Sequence, residues 1–243
     1  MKNVLILGAT SDLAQAIAKK YVAEGWSLTL AARNMELLEP LASDLRIRSK
    51  AEIQTAEFDA VDYSSHPDFY EALTPKPDAV VCVFGYMGDQ TVARADFAEA
   101  RKTIDVNYTG AVSILGIVAS SFEERGNGTI IGISSVAGDR GRQSNYIYGS
   151  AKAGFSAFLS GLRNRLAKTG IHVMTVKPGF CRTKMTESLD LPAALTAAPE
   201  QVAAAVFRGM EKKRNVIYTL WMWRWIMLAI KHIPEMLFKR MGM

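Results

Sequence analysis

The stretch NVLILGATSDLA, residues 3–14, decides how the rest of the chain is read. Its first half is a near-continuous apolar run, the pattern of a strand buried on both faces. A helical stretch follows from about Asp12 to Glu24 and stops at Gly25, a residue type that commonly ends helices. A glycine between such a strand and helix lets the backbone turn tightly, and it lets a pyrophosphate approach the first helical N–H groups. Only Gly8 is a glycine here; Asp12 and Ala14 stand where a fuller phosphate-loop pattern has two more. Thr10 and Ser11 offer hydroxyls, and a carboxylate at Asp12 suits the first turn of a helix dipole. Alone, the segment fits a capped strand-to-helix turn equally well.

The same alternation continues downstream. SLTLAAR, EIQTAEFDA, DAVVCVFG, GTIIGISS and IHVMTVKPG read as further strands, and NVIYTL as a short last one. Helical stretches separate them: NMELLEPLASDLRIRS despite its proline, Ser65 to Leu73, DFAEARKTIDVNYTGAVSILGIVASSFEER, about Ile147 to Lys168, and PEQVAAAVFRGMEKK. Continuous apolar strands alternating with helices predict a parallel sheet covered on both faces, wound by right-handed crossovers. The expected fold class is α/β: a single doubly wound parallel sheet of Rossmann type with an amphipathic C-terminal helical tail. Residues 1–219 would form the sheet-bearing domain and residues 220–243 an extension of it.

The charge excludes some partners. The net charge is +5, and an excess of that size lies from Glu211 onward, in Lys212, Lys213, Arg214, Arg224, Lys231, Lys239 and Arg240 against Glu211 and Glu235. The body is near neutral, so a broad basic face for nucleic acid is not expected. Cys82 and Cys181 stand far apart, and His66, His172 and His232 have no partner at metal-ligand spacing. Neither a disulfide framework nor a metal site is expected, which suits a reducing cytoplasm. Strand-like sequence from Asn3, with no basic n-region before it, gives no sign of a secretory leader.

In an open parallel sheet, ligands sit beyond the carboxyl ends of the strands, so chemistry is sought there. After the second strand comes Arg33, where a carboxylate would bind a ribose 2′-hydroxyl and an arginine can hold a 2′-phosphate. NADP(H) is therefore favoured over NAD(H), although an exposed arginine at a strand end is nearly as common. After the fifth strand comes ISSVAGDRGRQSNYIYGSAK, in which Tyr148 and Lys152 are one helical turn apart on one face. A phenol of ordinary pKa about 10 is a poor acid-base group at neutral pH, and a nearby ammonium favours its ionised form. Ser135, earlier in the same segment, offers a hydroxyl to polarise a carbonyl.

On these residues the chain resembles the short-chain dehydrogenases/reductases, over residues 3 to about 210. Tyr148 and Lys152 match that family's Y-x-x-x-K, Ser135 its catalytic serine, and Asn107 in VNYTG its helix asparagine. The resemblance implies a nicotinamide dinucleotide held by the loop with Gly8, Thr10, Ser11, Asp12 and Leu13, and by Arg33, Asp59, Ala60 and Gly85. KPGFCRT, with Pro178, Gly179 and Thr183, matches the segment that holds the nicotinamide carboxamide; Tyr148 and Lys152 contribute too. By the same resemblance the reaction interconverts a secondary alcohol and a ketone. Tyr148 would protonate the developing alkoxide, Lys152 would lower the tyrosine pKa, Ser135 would orient the carbonyl, and Asn107 would hold a relay water. A homo-oligomer is implied as well. Two segments depart from the family: LGATSDLA keeps one loop glycine, and CVFG (82–85) keeps only Gly85 of N-N-A-G. A non-catalytic dinucleotide sensor or scaffold is the reading those changes leave open.

The tail, LWMWRWIMLAIKHIPEMLFKRMGM, is apolar but interrupted by Arg224. A membrane span needs ~20 largely uncharged residues. Trp221, Trp223 and Trp225 beside basic side chains suit a membrane interface; a subunit contact or a helix over the substrate cleft are the alternatives. FGYMGDQ and the tryptophan-rich tail resemble the keto-reductase subunits of the decaprenylphosphoryl-ribose 2-epimerase system. That resemblance implies a polyprenyl-phosphate-linked keto-sugar substrate, a separate flavin-dependent oxidase partner and an arabinose-type product for cell-wall polysaccharide. It also implies a cytoplasmic enzyme lying peripherally on the inner membrane face. A soluble ketone or 3-oxoacyl reductase is the plainer alternative. The loop from about Lys184 to Pro199 is expected to shape the substrate pocket.

Overall fold

A computed structural model describes residues 1–187 and 190–242 of the chain. The chain opens with β1 (Asn3–Leu7), α1 (Asp12–Ala23), β2 (Ser27–Ala32), α2 (Met35–Arg48) and β3 (Ile53–Glu57). There follow α3 (His66–Ala72), β4 (Ala79–Cys82), α4 (Gln90–Ala93), α5 (Phe97–Ile104), α6 (Gly110–Arg125) and β5 (Thr129–Ile133). Next come α7 (Tyr146–Arg165), β6 (His172–Pro178), the short pair β7 (Phe180–Cys181) and β8 (Thr196–Ala197), and α8 (Pro199–Glu211). The chain ends in β9 (Val216–Thr219), α9 (Met222–His232) and α10 (Glu235–Phe238).

Seven strands form one parallel sheet in the order β3-β2-β1-β4-β5-β6-β9. The order reverses between β1 and β4, and that switch point opens a crevice at their carboxyl ends. Strand residues alternate between the two faces. Val4 and Ile6 enter the core with Ile17, Leu38, Val202 and Val206, whereas Leu5 and Leu7 pack with Ile114, Leu115, Phe155 and Leu159. Both faces are therefore dry, which is why these strands carry unbroken apolar runs.

Three local features position the crevice. Gly8 has φ +88°, and a Cβ built on it would lie 2.6 Å from the backbone nitrogen of Phe84, so only glycine fits the turn after β1. Ser11 caps α1, accepting from the Ala14 N–H at 3.3 Å, and Ala14 is fully buried where helix meets sheet. The expected long helix through Asn107 is divided: α5 and α6 are joined by a π-helical turn, Asp105–Thr109, whose Asn107 is buried. Such single π turns are frequently found at functional sites.

The tail is helical and amphipathic. In α9, Trp223 and Met227 are buried against Val136, with Ile226 and Ile230 alongside at helical spacing. The opposite face leaves Trp221 72% and Trp225 58% exposed. Among the described residues no helix is long and apolar enough to cross a membrane. Within the chain α9 packs on Val136, Phe180 and Leu195, and none of its residues lines the crevice at the switch point. The buried face settles against the loop after β5, and the outer face is exposed.

Candidate active site

A cavity of about 390 Å³ opens at the switch point. Thr10, Ser11, Asp12, Leu13 and Gly85 line one side, and Ser135, Tyr148, Lys152, Pro178, Gly179 and Thr183 line the other. Gly8, Arg33, Asp59, Ala60 and Asn107 are not among its lining residues. Arg33 is exposed immediately beyond the end of β2, and Asp59 and Ala60 follow β3, so these three stand along the sheet edge beside the cavity. Asp59 caps its own turn, its carboxylate accepting from the Val61 N–H at 3.0 Å.

The residues fit a bound dinucleotide. Gly8 keeps backbone close to backbone, and α1 presents its unpaired first-turn N–H groups next to the cavity. The Ser11 hydroxyl, expected to face the phosphates, is instead committed to its own turn, donating to Gly8 O at 3.2 Å. The anomalous Asp12 has a partner across the crevice: its carboxylate accepts from the Lys184 N–H at 2.7 Å. This bond joins the phosphate loop to the segment after β7, across 172 residues. The pocket-shaping loop from Lys184 to Pro199 is described except for residues 188 and 189, which lie outside the described residues.

The catalytic face is built by β5 and α7. Of the two serines after β5, Ser134 is buried, and its hydroxyl is held by Lys152 O at 3.0 Å and by Ser156 Oγ at 2.7 Å. Ser135 caps the following turn by accepting from the Ala137 N–H at 3.1 Å, which leaves its hydroxyl hydrogen available to the cavity. Lys152 is 4% exposed and donates to Ile133 O at 3.1 Å. Its Nζ sits 5.8 Å from the centre of the Tyr148 ring. A Cβ on Gly85 would approach both Asn107 Oδ1 (3.0 Å) and Lys152 Nζ (3.4 Å), so Asn107 and Lys152 meet there.

Burial pushes the Tyr148 phenol up to about 12, and a hydrogen bond from the Ser135 hydroxyl pulls the other way. Lys152 is itself driven down to about 8 by burial. The reason is desolvation, which disfavours both charged forms in the protein without cofactor. The Asn107 side chain is engaged at both its atoms: its nitrogen donates to Tyr86 O and to Thr103 O at 2.8 Å, and its oxygen accepts from the Tyr86 N–H at 3.3 Å.

The depressed Lys152 has a measurable consequence. Below about pH 8 folded and unfolded chains both hold its proton, and the whole penalty of burying the charge applies. From there towards 10 the unfolded chain still holds a proton that the native protein has released, so stability rises with pH. The expected result is a thermal midpoint that climbs between pH 8 and 10 relative to Lys152→Met in cofactor-free protein. A flat difference over that window would show that the lysine is not buried as a cation.

Sequence reasoning missed the neighbouring shell. Asp139, buried after the Ser135 turn, pairs with Lys177 of the KPG segment and accepts from Tyr218 OH at 2.7 Å. Arg140 donates to Ile230 O and Ile233 O, both at 2.6 Å, and pairs with Glu235 at 2.9 Å, pinning α9 and α10. The charges of GDRGR were visible in the sequence, but no period assigns partners to a loop. His66 turns out to be a satisfied core histidine, bonded to Ser113 Oγ and Asp59 O.

The family model of the short chain dehydrogenases matches residues 2–193. An uncharacterized oxidoreductase of Mycobacterium tuberculosis is 36% identical over 241 residues, covering 98% of this chain and 96% of its own length. One from Streptomyces coelicolor is 37% identical over 246 residues, covering 99% and 96%. A solved short-chain dehydrogenase from Sphingobium yanoikuyae in complex with NADPH superposes with a TM-score of 0.81 at 23% identity, covering 97% of each chain.

Proposed function

The chain belongs to the short chain dehydrogenase family and is an NAD(P)-dependent oxidoreductase, and from that membership we propose that it reduces a ketone to a secondary alcohol at Tyr148. The observation that carries this reading is the shared cavity wall on which Ser135, Tyr148 and Lys152 stand, with Lys152 buried beneath the phenol. Nicotinamide dinucleotide, when bound, supplies the hydride. The chain supplies the rest. Tyr148 keeps its proton in the buried cavity and donates it to the carbonyl oxygen as charge develops there. Ser135 orients that oxygen through its hydroxyl, which lines the cavity with Tyr148. Lys152 places a cation where the phenolate forms, so ionised tyrosine is favoured at the moment of transfer and not before. Asn107 holds Tyr86, and with it the Gly85 backbone, against this group.

Cofactor binding would fall to the Gly8–Leu13 turn, Gly85 and the Pro178–Thr183 segment, with Asp59 and Ala60 at the adenine end. Arg33 is the group that selects NADPH, because its exposed guanidinium is free to take a 2′-phosphate bidentately. Arg33→Ala is expected to raise the KM for NADPH by about tenfold, the value of one charged hydrogen bond, while that for NADH stays nearly constant. Equal effects on both cofactors in steady-state oxidation assays would overturn this assignment.

The substrate is a keto-sugar carried on a polyprenyl phosphate, made by a separate flavin-dependent oxidase and reduced at the membrane surface. Support for a lipid-borne substrate comes from the outward face of α9, where Trp221, Trp225 and Leu228 lie beside Arg224 and Lys231. The experiment is NADPH oxidation with a prenyl-phosphate keto-pentose against a 3-oxoacyl thioester, with and without anionic liposomes. Faster turnover of the thioester would replace this substrate class by the 3-oxoacyl class.

A further inference from the structure

The ketone side of the cavity carries a cation that the reductase mechanism does not use. Arg142 lies in the loop between Ser135 and Tyr148, lines the same cavity as both, and is half-buried. Its Nε is closed off from solvent and has no hydrogen-bond partner. Among the described residues the guanidinium's one side-chain contact of this kind is the Met227 sulfur, at 3.8 Å from Nη2. A carboxylate stands in the same loop, at Asp139, but its two oxygens are taken by Lys177 and by the Tyr218 hydroxyl. Three residues beyond Arg142, the Asn145 side chain also lines the cavity with a buried Oδ1 that has no partner. Arg140, by contrast, from the same loop, is fully engaged with the tail.

A desolvated guanidinium without an acceptor is costly to keep, and a planar fork matches a carboxylate or phosphate edge with two parallel bonds. Lys152, another cation of the cavity lining, is already bonded to Ile133 O and sits under the phenol, so it is not available to the far end of a substrate. We propose that Arg142 is the docking group for an oxyanion on the substrate, a carboxylate or a phosphate ester borne by the molecule whose carbonyl meets Tyr148. Asn145 then accepts from a hydroxyl beside that anion. Burial of Arg142 makes its guanidinium easier to deprotonate than an exposed one, and Asp139 opposes that effect. With its unpartnered fork in the cavity lining, the site selects anionic ketones over neutral ones. It rests on the reductase reading for the identity of the other end of the ligand.

Equilibrium binding to protein saturated with NADP+, in which a ketone cannot be reduced, separates the two ideas. The ligands are 4-acetylbenzoate with its neutral methyl ester, and 4-acetylphenyl phosphate with neutral 4-methoxyacetophenone. Wild type is expected to prefer the charged member of at least one pair by about tenfold or more. Arg142→Met brings that ratio to about one, and Arg142→Lys, which keeps the charge without the fork, keeps part of it. NADP+ affinity of each variant reports that the fold persists. The larger of the two wild-type ratios identifies carboxylate or phosphate as the natural group. No charged-over-neutral preference in wild type, or an undiminished preference in Arg142→Met, overturns the proposal. Absence of NADPH oxidation with every ketone, while the Arg142-dependent ratio stands, overturns the reductase reading instead.

Discussion

Replacing Tyr148 by phenylalanine lowers NADPH-linked ketone reduction by about a thousandfold, in the middle of the range for losing a positioned general acid. Nucleotide binding, followed by fluorescence titration, stays within about twofold, a small fraction of one charged hydrogen bond. The substitution removes one hydroxyl and keeps the ring, so the packing around Lys152, with Nζ 5.8 Å from the ring centre, is preserved. What disappears is the proton. In the cavity the phenol sits at about 12, well above neutrality, so the group starts each reduction protonated. Ser135 can still polarise a carbonyl, and hydride can still be presented, which is why a residue of activity remains. Loss in kcat with KM little changed is the expected split, because the interaction is made only as charge develops on oxygen. A variant as active as wild type would leave a nucleotide-binding protein whose Tyr148 has no chemical role, the sensor or scaffold reading.

How much of this was legible beforehand depended on whether the signal was local. The strand in NVLIL and the glycine after it declared the sheet, since Leu5 and Ile6 must bury opposite faces and Gly8 alone tolerates φ +88°. Tyr148 and Lys152 declared themselves by a one-turn spacing. The π turn at Asp105–Thr109 stayed hidden because a single extra residue in a helix barely disturbs its apolar period. Asp12 was recognised as odd, but its partner Lys184 lies 172 residues away, and no pattern in the sequence pairs them. Arg140 and Arg142 stand in one loop, and nothing in the sequence separates the first, which holds the tail, from the second, which faces the cavity. The direction of α9 was equally unreadable: both of its faces carry a tryptophan, and only packing decides which of Trp223 and Trp225 turns inward.

That choice leads to the second large effect. Trp223 is 3% exposed, and its indole N–H donates to Leu195 O at 3.0 Å while the ring meets Phe180 edge-on at 5.1 Å. Gly179, in the segment expected to hold the nicotinamide, lies so close that a Cβ there would come within 1.9 Å of Trp223 Nε1. The indole therefore supports the wall of the cavity from behind. Trp223→Ala deletes a buried aromatic and leaves a void, at a cost of about 3–5 kcal/mol. At roughly 2–4 °C per kcal/mol for a chain of this size, the thermal midpoint should fall by about 10 °C. NADPH affinity should weaken with it, because the Pro178–Thr183 backbone loses its backing. Trp225→Ala, two residues along on the exposed face, should change the midpoint by less than about 2 °C. The pair separates the tail's two sides: Trp223 tests the docking of α9 on the catalytic core, and Trp225 tests the outer face on liposomes. If Trp223→Ala keeps both its midpoint and its NADPH affinity, α9 is an appendage and the wall stands without it. If Trp225→Ala reproduces the loss, the burial of α9 has the wrong face inward.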